Sequence, residues 1–184
     1  MLDAKVAQSV IDHALFLGAD FAELFVERKR INDVNTLSSE VQSVQSGIDF
    51  GIGIRLACGN KVLYGYTNRT DDAELKRITS ELAAKDLRDA RDSSTPLDYR
   101  VAPDNHPATR VLSGDSEVAA KVDYLLAADC AARASSDKIS QTTGFCMAAE
   151  KSVELFNSEG LHSSDTRNYL RVGLSAIAAE GGEQ

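Results

Sequence analysis

Residues 48–58 constrain the fold most, because they alternate strictly between apolar and other side chains. The even positions are all apolar: Ile48, Phe50, Ile52, Ile54, Leu56 and Cys58. A period of two is typical of a strand with one buried face. Gly59 and Asn60 follow, and a two-residue loop that starts with glycine favours a type II′ hairpin turn. The sequence therefore predicts a β-hairpin that ends near residue 67 and pairs Cys58 with Lys61 and Leu56 with Leu63.

The second face of this hairpin is unusual in composition. It carries two glycines, an arginine and two tyrosines, with Arg55 paired to Tyr64 and Gly53 paired to Tyr66; its members are Gly51, Gly53, Arg55, Tyr64 and Tyr66. One interpretation is structural: Tyr66 covers the gap left by Gly53, and Arg55 stacks on Tyr64. The other is functional: bare glycines let a second backbone approach closely, and the three large side chains contact a partner or an extended peptide.

The rest of the chain reads as helices and further short strands. Apolar side chains at three- and four-residue steps predict helices over 3–17, from about 71 onward and over 115–135. Asp3 is the expected N-cap of the first helix, and Thr70 or Asp71 that of the second. Strands are predicted at 20–28, 34–37, 41–45, 139–150, 153–156 and 167–179, and residues 93–113 as an extended connection. Consecutive strands with short links favour antiparallel pairing. We expect an α+β fold, a mainly antiparallel sheet with helices packed on one face. The third helix should turn one stripe inward: Val118, Val122, Leu125, Leu126 and Cys130.

Composition excludes several classes of function. The 184 residues include 28 acidic and 20 basic side chains, for a net charge of −8. This acid excess argues against nucleic acid as a partner. No apolar run approaches the roughly 20 residues of a membrane span, so no membrane partner is expected. Cys58, Cys130 and Cys146 form no CxxC pair, which favours a reducing, cytoplasmic location and a role as small buried hydrophobes.

Residues for catalysis are not grouped in any recognisable pattern. His13, His106 and His162 lack metal-ligand spacing and are expected to be solvated. The sequence also has no GxSxG elbow and no phosphate-binding glycine loop. Asp71, Asp72 and Glu74 are interpreted as helix-capping residues. We therefore predict no catalytic residue and no metal ligand in this chain.

Several segments, in order, resemble the TldD/PmbA family, also called modulators of DNA gyrase. They are GADFAELFVE, GIDFGIGIRLACGNKVLYGYTN and VELFNSEGLHSSDTRNYLRVGLSAIAAEGGEQ; the second is closer to the TldD type. The resemblance implies one N-terminal domain, residues 1–184, of a cytosolic two-domain zinc metalloprotease. The family's zinc ligands, in an HExxxH helix and a later cysteine, lie in the C-terminal domain, and no residue here matches them. No cofactor is expected in this chain, and zinc is expected in the full-length protein.

The resemblance also implies a role and a set of partners. The chain would be the substrate-channel and dimer-supporting domain of the protease, inactive by itself and separated from a longer protein. Its partners would be the C-terminal domain of the same family, a second copy or a PmbA-type subunit, and an extended peptide substrate. The alternatives are a stand-alone protein-interaction module, or regulatory partner, without enzymatic activity, and an independent enzyme whose site residues are scattered.

Overall fold

A computed structural model describes residues 1–86, 89, 96, 98–99 and 118–181. These residues form three helices and six strands in an α+β arrangement, as predicted. In chain order they are α1 (Ala4–Phe16), β1 (Phe21–Leu37), β2 (Glu40–Cys58), β3 (Lys61–Thr67), α2 (Asp72–Ala83), β4 (Asp98–Tyr99), α3 (Val118–Ser135), β5 (Ile139–Asn157) and β6 (Leu161–Ala178). The six strands form one sheet with the order β3-β2-β1-β5-β6-β4.

The predicted hairpin is confirmed in its register. Strands β2 and β3 are antiparallel, and the pairs are those expected: Cys58 with Lys61, Leu56 with Leu63, Arg55 with Tyr64 and Gly53 with Tyr66. Gly59 has a φ of 60°, as the first loop position of a type II′ turn requires. The turn therefore sets the register, as local sequence predicts.

The first two helices also begin where their capping residues predict. The Asp3 carboxylate accepts a hydrogen bond from the Lys5 amide at the start of α1. At the start of α2, the Asp71 carboxylate accepts one from the Glu74 amide at 3.0 Å. Each cap satisfies a backbone N–H that the first helical turn leaves without an intrahelical acceptor.

By its contacts the chain forms two compact units. Unit 1 comprises Met1–Arg28, Asp49–Asn105 and Ser152–Thr166. Its core is aliphatic and lies between α1, α2 and one face of the adjacent strand segments; it includes Val10, Ile11, Leu24, Val26, Ile52, Ile54, Leu56, Leu75 and Phe156. Helix α2 packs on β3, where a Cβ on Gly65 would come within 2.7 Å of Ile78 Cγ2.

Unit 2 comprises Lys29–Ile48, His106–Lys151 and Arg167–Gln184. Helix α3 covers one face of its strand segments, but its inward stripe differs from the prediction. The buried residues of α3 are Lys121, Leu125 and Asp129, whereas Cys130 is exposed. The predicted inward position of Cys130 is wrong, because the buried stripe follows four-residue steps and includes two polar residues that a search for apolar side chains passes over.

Strand lengths depart from the prediction. The strands expected at 20–28 and 34–37 are one strand, β1, and the segment 41–45 belongs to β2. The polar residues between them continue the alternation, since Asn32 is 8% exposed and its carbonyl accepts a hydrogen bond from Lys121 Nζ at 2.9 Å. A donor from α3 thus satisfies the backbone carbonyl of Asn32, and the bond offsets part of the cost of burying the Lys121 ammonium group.

The structure describes only part of the predicted connection at 93–113. Residues 98–99 form the short strand β4, which pairs in parallel with β6 and was not predicted. Most of the connection, His106 and the expected helix start at Asp115 lie outside the described residues. Within the described part of the chain, no helix is long and apolar enough to cross a bilayer.

Candidate binding face

The five residues singled out from the sequence lie on the face of unit 1 opposite its helices. Their neighbours Ile52, Ile54 and Leu56 are buried in the core, so strand alternation turns Gly51, Gly53 and Arg55 the other way. On β3, Tyr64 is 67% exposed and Tyr66 is 88% exposed. We call these five residues, with Phe21, Glu23, Phe25 and Glu27 of β1, the glycine face.

Arg55 is held by β1 and not by the tyrosine opposite it. Its guanidinium Nη2 lies 3.1 Å from Glu23 Oε1, and its Cζ lies 5.4 Å from the centroid of the Phe21 ring. This position combines an ion pair with a cation–π contact. The structural interpretation in which Arg55 stacks on Tyr64 is therefore not the arrangement observed.

A shallow cavity of about 310 Å³ lies beside the two glycines. Its lining residues are Phe25, Glu27, Asp49, Phe50, Gly51 and Gly53. The alternation of β1 places Phe25 and Glu27 here, because Ala22, Leu24 and Val26 face the core. Sequence reasoning missed these two lining residues, although the alternation in DFAELFVER could have identified them.

The two glycines on this face are not required by the packing of the chain itself. A Cβ on Gly51 would meet only the Thr67 carbonyl oxygen, at 3.9 Å, and one on Gly53 would meet only Phe25, at 3.8 Å or more. These are ordinary van der Waals distances. Positive φ angles occur at Gly18, Gly59, Gly160 and Gly181 among the described glycines, and not at these two. Backbone geometry therefore does not demand glycine at 51 or 53.

Tyr66 does not fill the gap above Gly53. Its side chain is 88% exposed, and the atoms nearest to a Cβ on Gly53 belong to Phe25. An aromatic ring that covered the glycine would bury much of its own area against the strand. The floor of the glycine face is thus open to an incoming group.

The side chains of this face are suited to binding by stacking, hydrogen bonds and charge. Arginine, tyrosine, phenylalanine and glycine can stack, donate hydrogen bonds and accept close contact. Across the residues that the structure describes, no group of three or more histidine, cysteine, aspartate or glutamate side chains could hold a metal ion. The arrangement resembles a docking surface for a chain in an extended conformation.

A histidine and a serine meet between α1 and α2. Ser80 Oγ donates to the Lys76 carbonyl oxygen at 2.9 Å, and His13 Nε2 lies 2.8 Å from the same Oγ. Ser80 Oγ thus lies within hydrogen-bond distance of both a backbone carbonyl oxygen and the imidazole. Burial and the nearby Lys76 charge lower the pKa of His13.

The other described histidine, His162, is buried, so the expectation that it is solvated is wrong, whereas His13 is half-buried. His162 is 9% exposed, its Nε2 lies 3.1 Å from Glu154 Oε1, and its ring stacks on Phe156 with centroids 4.0 Å apart. The other carboxylate oxygen of Glu154 accepts a hydrogen bond from the Leu2 amide at 3.2 Å. These contacts join the start of the chain to β5 and β6.

Sequence reasoning missed a buried polar cluster in unit 2. Asp129 accepts hydrogen bonds from the Ser39 and Thr142 hydroxyls and from Arg133 Nε at 3.3 Å. The two hydroxyl bonds, chiefly, lower the pKa of Asp129. Lys121 lies on the same face of α3 with no exposed surface, and burial lowers its pKa. The carboxylate and hydroxyls of this cluster are thus engaged with one another.

The cysteines divide between two environments. Cys58 and Cys146 are buried and Cys130 is exposed, and all three are free thiols. Burial raises the pKa of Cys146, which disfavours the reactive thiolate. The interpretation as small buried hydrophobes therefore holds for two of the three residues.

Comparison with known families finds two matches in the chain. Residues 22–85 match the PmbA/TldA metallopeptidase domain 1, and residues 112–184 match the PmbA/TldA metallopeptidase central domain. The glycine face falls within the first match, apart from Phe21. A search of curated proteins finds no significant match.

Solved structures show the same fold at low sequence identity. A candidate modulator of DNA gyrase from Bacteroides thetaiotaomicron has a TM-score of 0.73 and 15% identity, over 98% of this chain and 42% of that one. A second candidate modulator, from Thermotoga maritima, has a TM-score of 0.73 and 13% identity, with coverages of 97% and 40%. TldE from Thermococcus kodakarensis has a TM-score of 0.65 and 17% identity, with coverages of 96% and 40%. The chain thus spans about two fifths of the length of these proteins.

Proposed function

The chain belongs to the PmbA/TldD family, and on that premise we propose that it is the substrate-channel and dimer-supporting part of a TldD-type zinc metalloprotease. In this proposal it binds an extended peptide on the glycine face and hydrolyses nothing by itself. Zinc and the catalytic groups would come from the C-terminal domain of the family. The protein would be cytoplasmic and would assemble with a second copy or with a PmbA-type subunit.

The observation that carries the binding role is the pair of glycines that the fold does not need. Glycine within a strand costs roughly 0.5–1 kcal/mol relative to alanine, and neither packing nor φ explains Gly51 or Gly53. In contrast, a Cβ on Gly65 would lie 2.7 Å from Ile78, so packing does explain that glycine. An open floor between Phe25 and the exposed tyrosines suits a second backbone that lies flat on the strand.

A non-enzymatic interaction module is the second candidate. Exposed tyrosines are enriched at protein interfaces, and Tyr64 and Tyr66 are exposed by 67% and 88%. Such a module would dock on a complete subunit of the family and would have no need of a peptide substrate. The same face would then contact a folded partner.

The first test measures peptide binding by fluorescence polarisation with labelled, β-prone pentapeptides. Gly53→Val is expected to abolish binding while the melting temperature stays the same or rises, because a Cβ at this position meets no close neighbour. Gly47→Val is the matched control: it lies in the same strand, and its Cβ would meet only Ile31 Cγ1, at 3.9 Å. Equal binding by the two variants would contradict the proposal.

A second test separates the two candidates. The chain alone is expected to cleave no peptide, and addition of a zinc-containing family subunit is expected to give cleavage that Tyr66→Ala reduces with its melting temperature unchanged. If Tyr66→Ala weakens association with that subunit and leaves cleavage intact, the interaction module is favoured. Metal-dependent cleavage by the chain alone would contradict both candidates.

A further inference from the structure

Gly53 lies between two aromatic residues of the neighbouring strands. On one side it pairs with Tyr66 of β3. On the other, the atoms nearest to a Cβ on Gly53 are the carbonyl oxygen and the Cβ of Phe25, at 3.8 and 4.0 Å, so its neighbour in β1 is Phe25. The three residues form a row across three strands of the glycine face. We call Phe25, Gly53 and Tyr66 the aromatic slot.

Both rings of the aromatic slot are accessible. Phe25 is 40% exposed and Tyr66 is 88% exposed, and no atom of either ring lies within 4 Å of a Cβ on Gly53. Neither ring makes an aromatic or cation–π contact with the described residues of the chain. The cavity beside the glycines is lined in part by Phe25 and Gly53, so free volume adjoins the slot.

The next row of the sheet has the same arrangement with its centre occupied. There Arg55 lies between Glu23 of β1, whose carboxylate its guanidinium meets at 3.1 Å, and Tyr64, its partner in β3. At Gly53 the centre of the row carries no side chain, and both flanks are aromatic. The slot is therefore a gap between two rings that the chain itself does not fill.

The spacing of the strands determines which side chain the slot can hold. Adjacent strands lie about 4.8 Å apart, and side chains stand roughly perpendicular to the sheet. A planar group above Gly53 would therefore have an aromatic ring about 4.8 Å away on each side. Aromatic pairs favour centroid separations of about 4.5–7 Å and are more stable than their buried area alone predicts. The spacing thus favours an aromatic ring over an aliphatic side chain of similar size.

We propose that an extended peptide bound on the glycine face inserts an aromatic side chain between Phe25 and Tyr66, above Gly53. This inference rests on the proposed function, since it names the side chain by which the peptide would be recognised. The peptide backbone rests on the open floor at Gly51, and the inserted ring supplies the side chain that β2 lacks at Gly53. The ligand is thus a peptide that contains phenylalanine, tyrosine or tryptophan.

The test compares two labelled pentapeptides of similar size, acetyl-Val-Thr-Phe-Thr-Val-amide and the same peptide with cyclohexylalanine in place of phenylalanine. Cyclohexylalanine is at least as apolar as phenylalanine, so burial of apolar area alone would not favour the phenylalanine peptide. That peptide is expected to bind about tenfold more tightly, because its ring contacts two others. Fluorescence polarisation measures both dissociation constants.

Substitutions assign that preference to the aromatic slot. Phe25→Leu and Tyr66→Leu are each expected to reduce the ratio of the two dissociation constants by about threefold, and the double variant to bring it near one. Tyr124→Leu is the matched control, since it removes a tyrosine of α3 that is 60% exposed and lies outside the glycine face. Melting temperatures identify any variant that fails to fold, and Tyr66→Leu, at the most exposed of these positions, has the lowest risk of doing so.

Tryptophan fluorescence gives an independent measurement, because the chain contains no tryptophan. The emission of acetyl-Val-Thr-Trp-Thr-Val-amide is expected to shift to shorter wavelength on binding, because the indole ring leaves water. Tyr66→Leu is expected to reduce this shift at saturation, whereas Tyr124→Leu is expected to leave it unchanged. Binding without a shift would place the indole in solvent and contradict the inference.

The outcomes separate this inference from the proposed function. Equal affinities for the phenylalanine and cyclohexylalanine peptides, or tighter binding of the second, with binding still abolished by Gly53→Val, would overturn the inference and leave peptide binding intact. A preference for phenylalanine that survives in the Phe25→Leu, Tyr66→Leu double variant would also overturn it. No binding of any of the peptides would contradict the proposed function and the inference together.

Discussion

Asp129 shows how a single residue organises unit 2. Its carboxylate is 4% exposed and accepts hydrogen bonds from Ser39 of the β1–β2 turn, Thr142 of β5 and Arg133 of its own helix. Arg133 Nη2 also donates to Thr142 Oγ1 at 3.2 Å. A buried carboxylate with this many donors is stable, and loss of the carboxylate leaves the donors without their acceptor.

Asp129→Ala is therefore expected to destabilise the protein by about 3 kcal/mol, the low end of the range for breaking a buried charged pair. The measurement is the free energy of unfolding from urea titration. Asp123→Ala, at an exposed position of the same helix, is expected to change it by less than about 0.5 kcal/mol. A loss at Asp129→Ala no larger than the change at Asp123→Ala would contradict the role of the buried cluster.

The same residue predicts a dependence on acid pH. Hydrogen bonds from Ser39 and Thr142 hold the pKa of Asp129 below its ordinary value of 3.8, so the unfolded chain takes up this proton first as pH falls. The contribution of Asp129 to stability is thus complete above about pH 4 and is lost as pH falls through the folded pKa. The difference in unfolding free energy between wild type and Asp129→Asn should become smaller as pH falls below about 4. A difference that stays constant with pH would contradict the lowered pKa of Asp129.

Among the elements, the turn between β1 and β2 carries backbone strain. Ser38 and Ser39 have φ angles of 47° and 68°, the left-handed region that costs about 1–2 kcal/mol for residues other than glycine. Two successive positive angles are those of a type I′ turn, which favours asparagine and glycine. The Ser39 hydroxyl offsets the cost through its bond to Asp129, whereas Ser38 has only its backbone bond to Thr142 among the described contacts.

Ser38→Asn is expected to raise the free energy of unfolding by up to about 1 kcal/mol, because asparagine tolerates the left-handed region. Ser38→Val is expected to lower it by about 1 kcal/mol or more, because a β-branched side chain fits poorly there. Thermal unfolding of the two variants measures both shifts. If both substitutions raised, or both lowered, the free energy of unfolding, the φ angle of Ser38 would not be what sets the stability of the turn.

At the scale of the whole molecule, the two units differ in what they bury. Along β1, the residues of unit 1 that face inward are Ala22, Leu24 and Val26, whereas those of unit 2 are Asn32, Val34 and Thr36. Unit 1 has an extended aliphatic core, and the described core cluster of unit 2 is built on Val34, Leu125 and Cys146. Apolar burial is the main source of stability, so local openings should cost less in unit 2.

Hydrogen exchange measured by mass spectrometry can test this within a single strand. Amides of residues 22–26 are expected to be better protected than those of residues 32–36, with exchange in the second segment rising first as urea is added. Both segments belong to one strand of one molecule, so their exchange is compared under identical solution conditions. Equal protection in the two segments would show that β1 opens as one cooperative element.

Sequence alone predicted the features whose causes are local. The alternation of residues 48–58 and the loop at Gly59 and Asn60 specify the hairpin and its register, and Asp3 and Asp71 specify two helix starts. Each depends on residues within a few positions of one another, so period and turn geometry are sufficient. The five residues of the candidate face lie on one side of the hairpin, as alternation and register predict, and their role in binding stays a prediction.

The tertiary structure decided what depends on distant residues. Lys121 lies 89 positions from Asn32 and donates a hydrogen bond to its carbonyl. Asp33 lies 115 positions from Ala148 and accepts a hydrogen bond from its amide. Such contacts support a polar segment in the middle of a strand. The cavity beside the glycines exists only because β1 brings Phe25 next to Gly53. The pattern of either strand alone does not predict that Phe25 lies next to Gly53, because this contact arises from the pairing between the two strands.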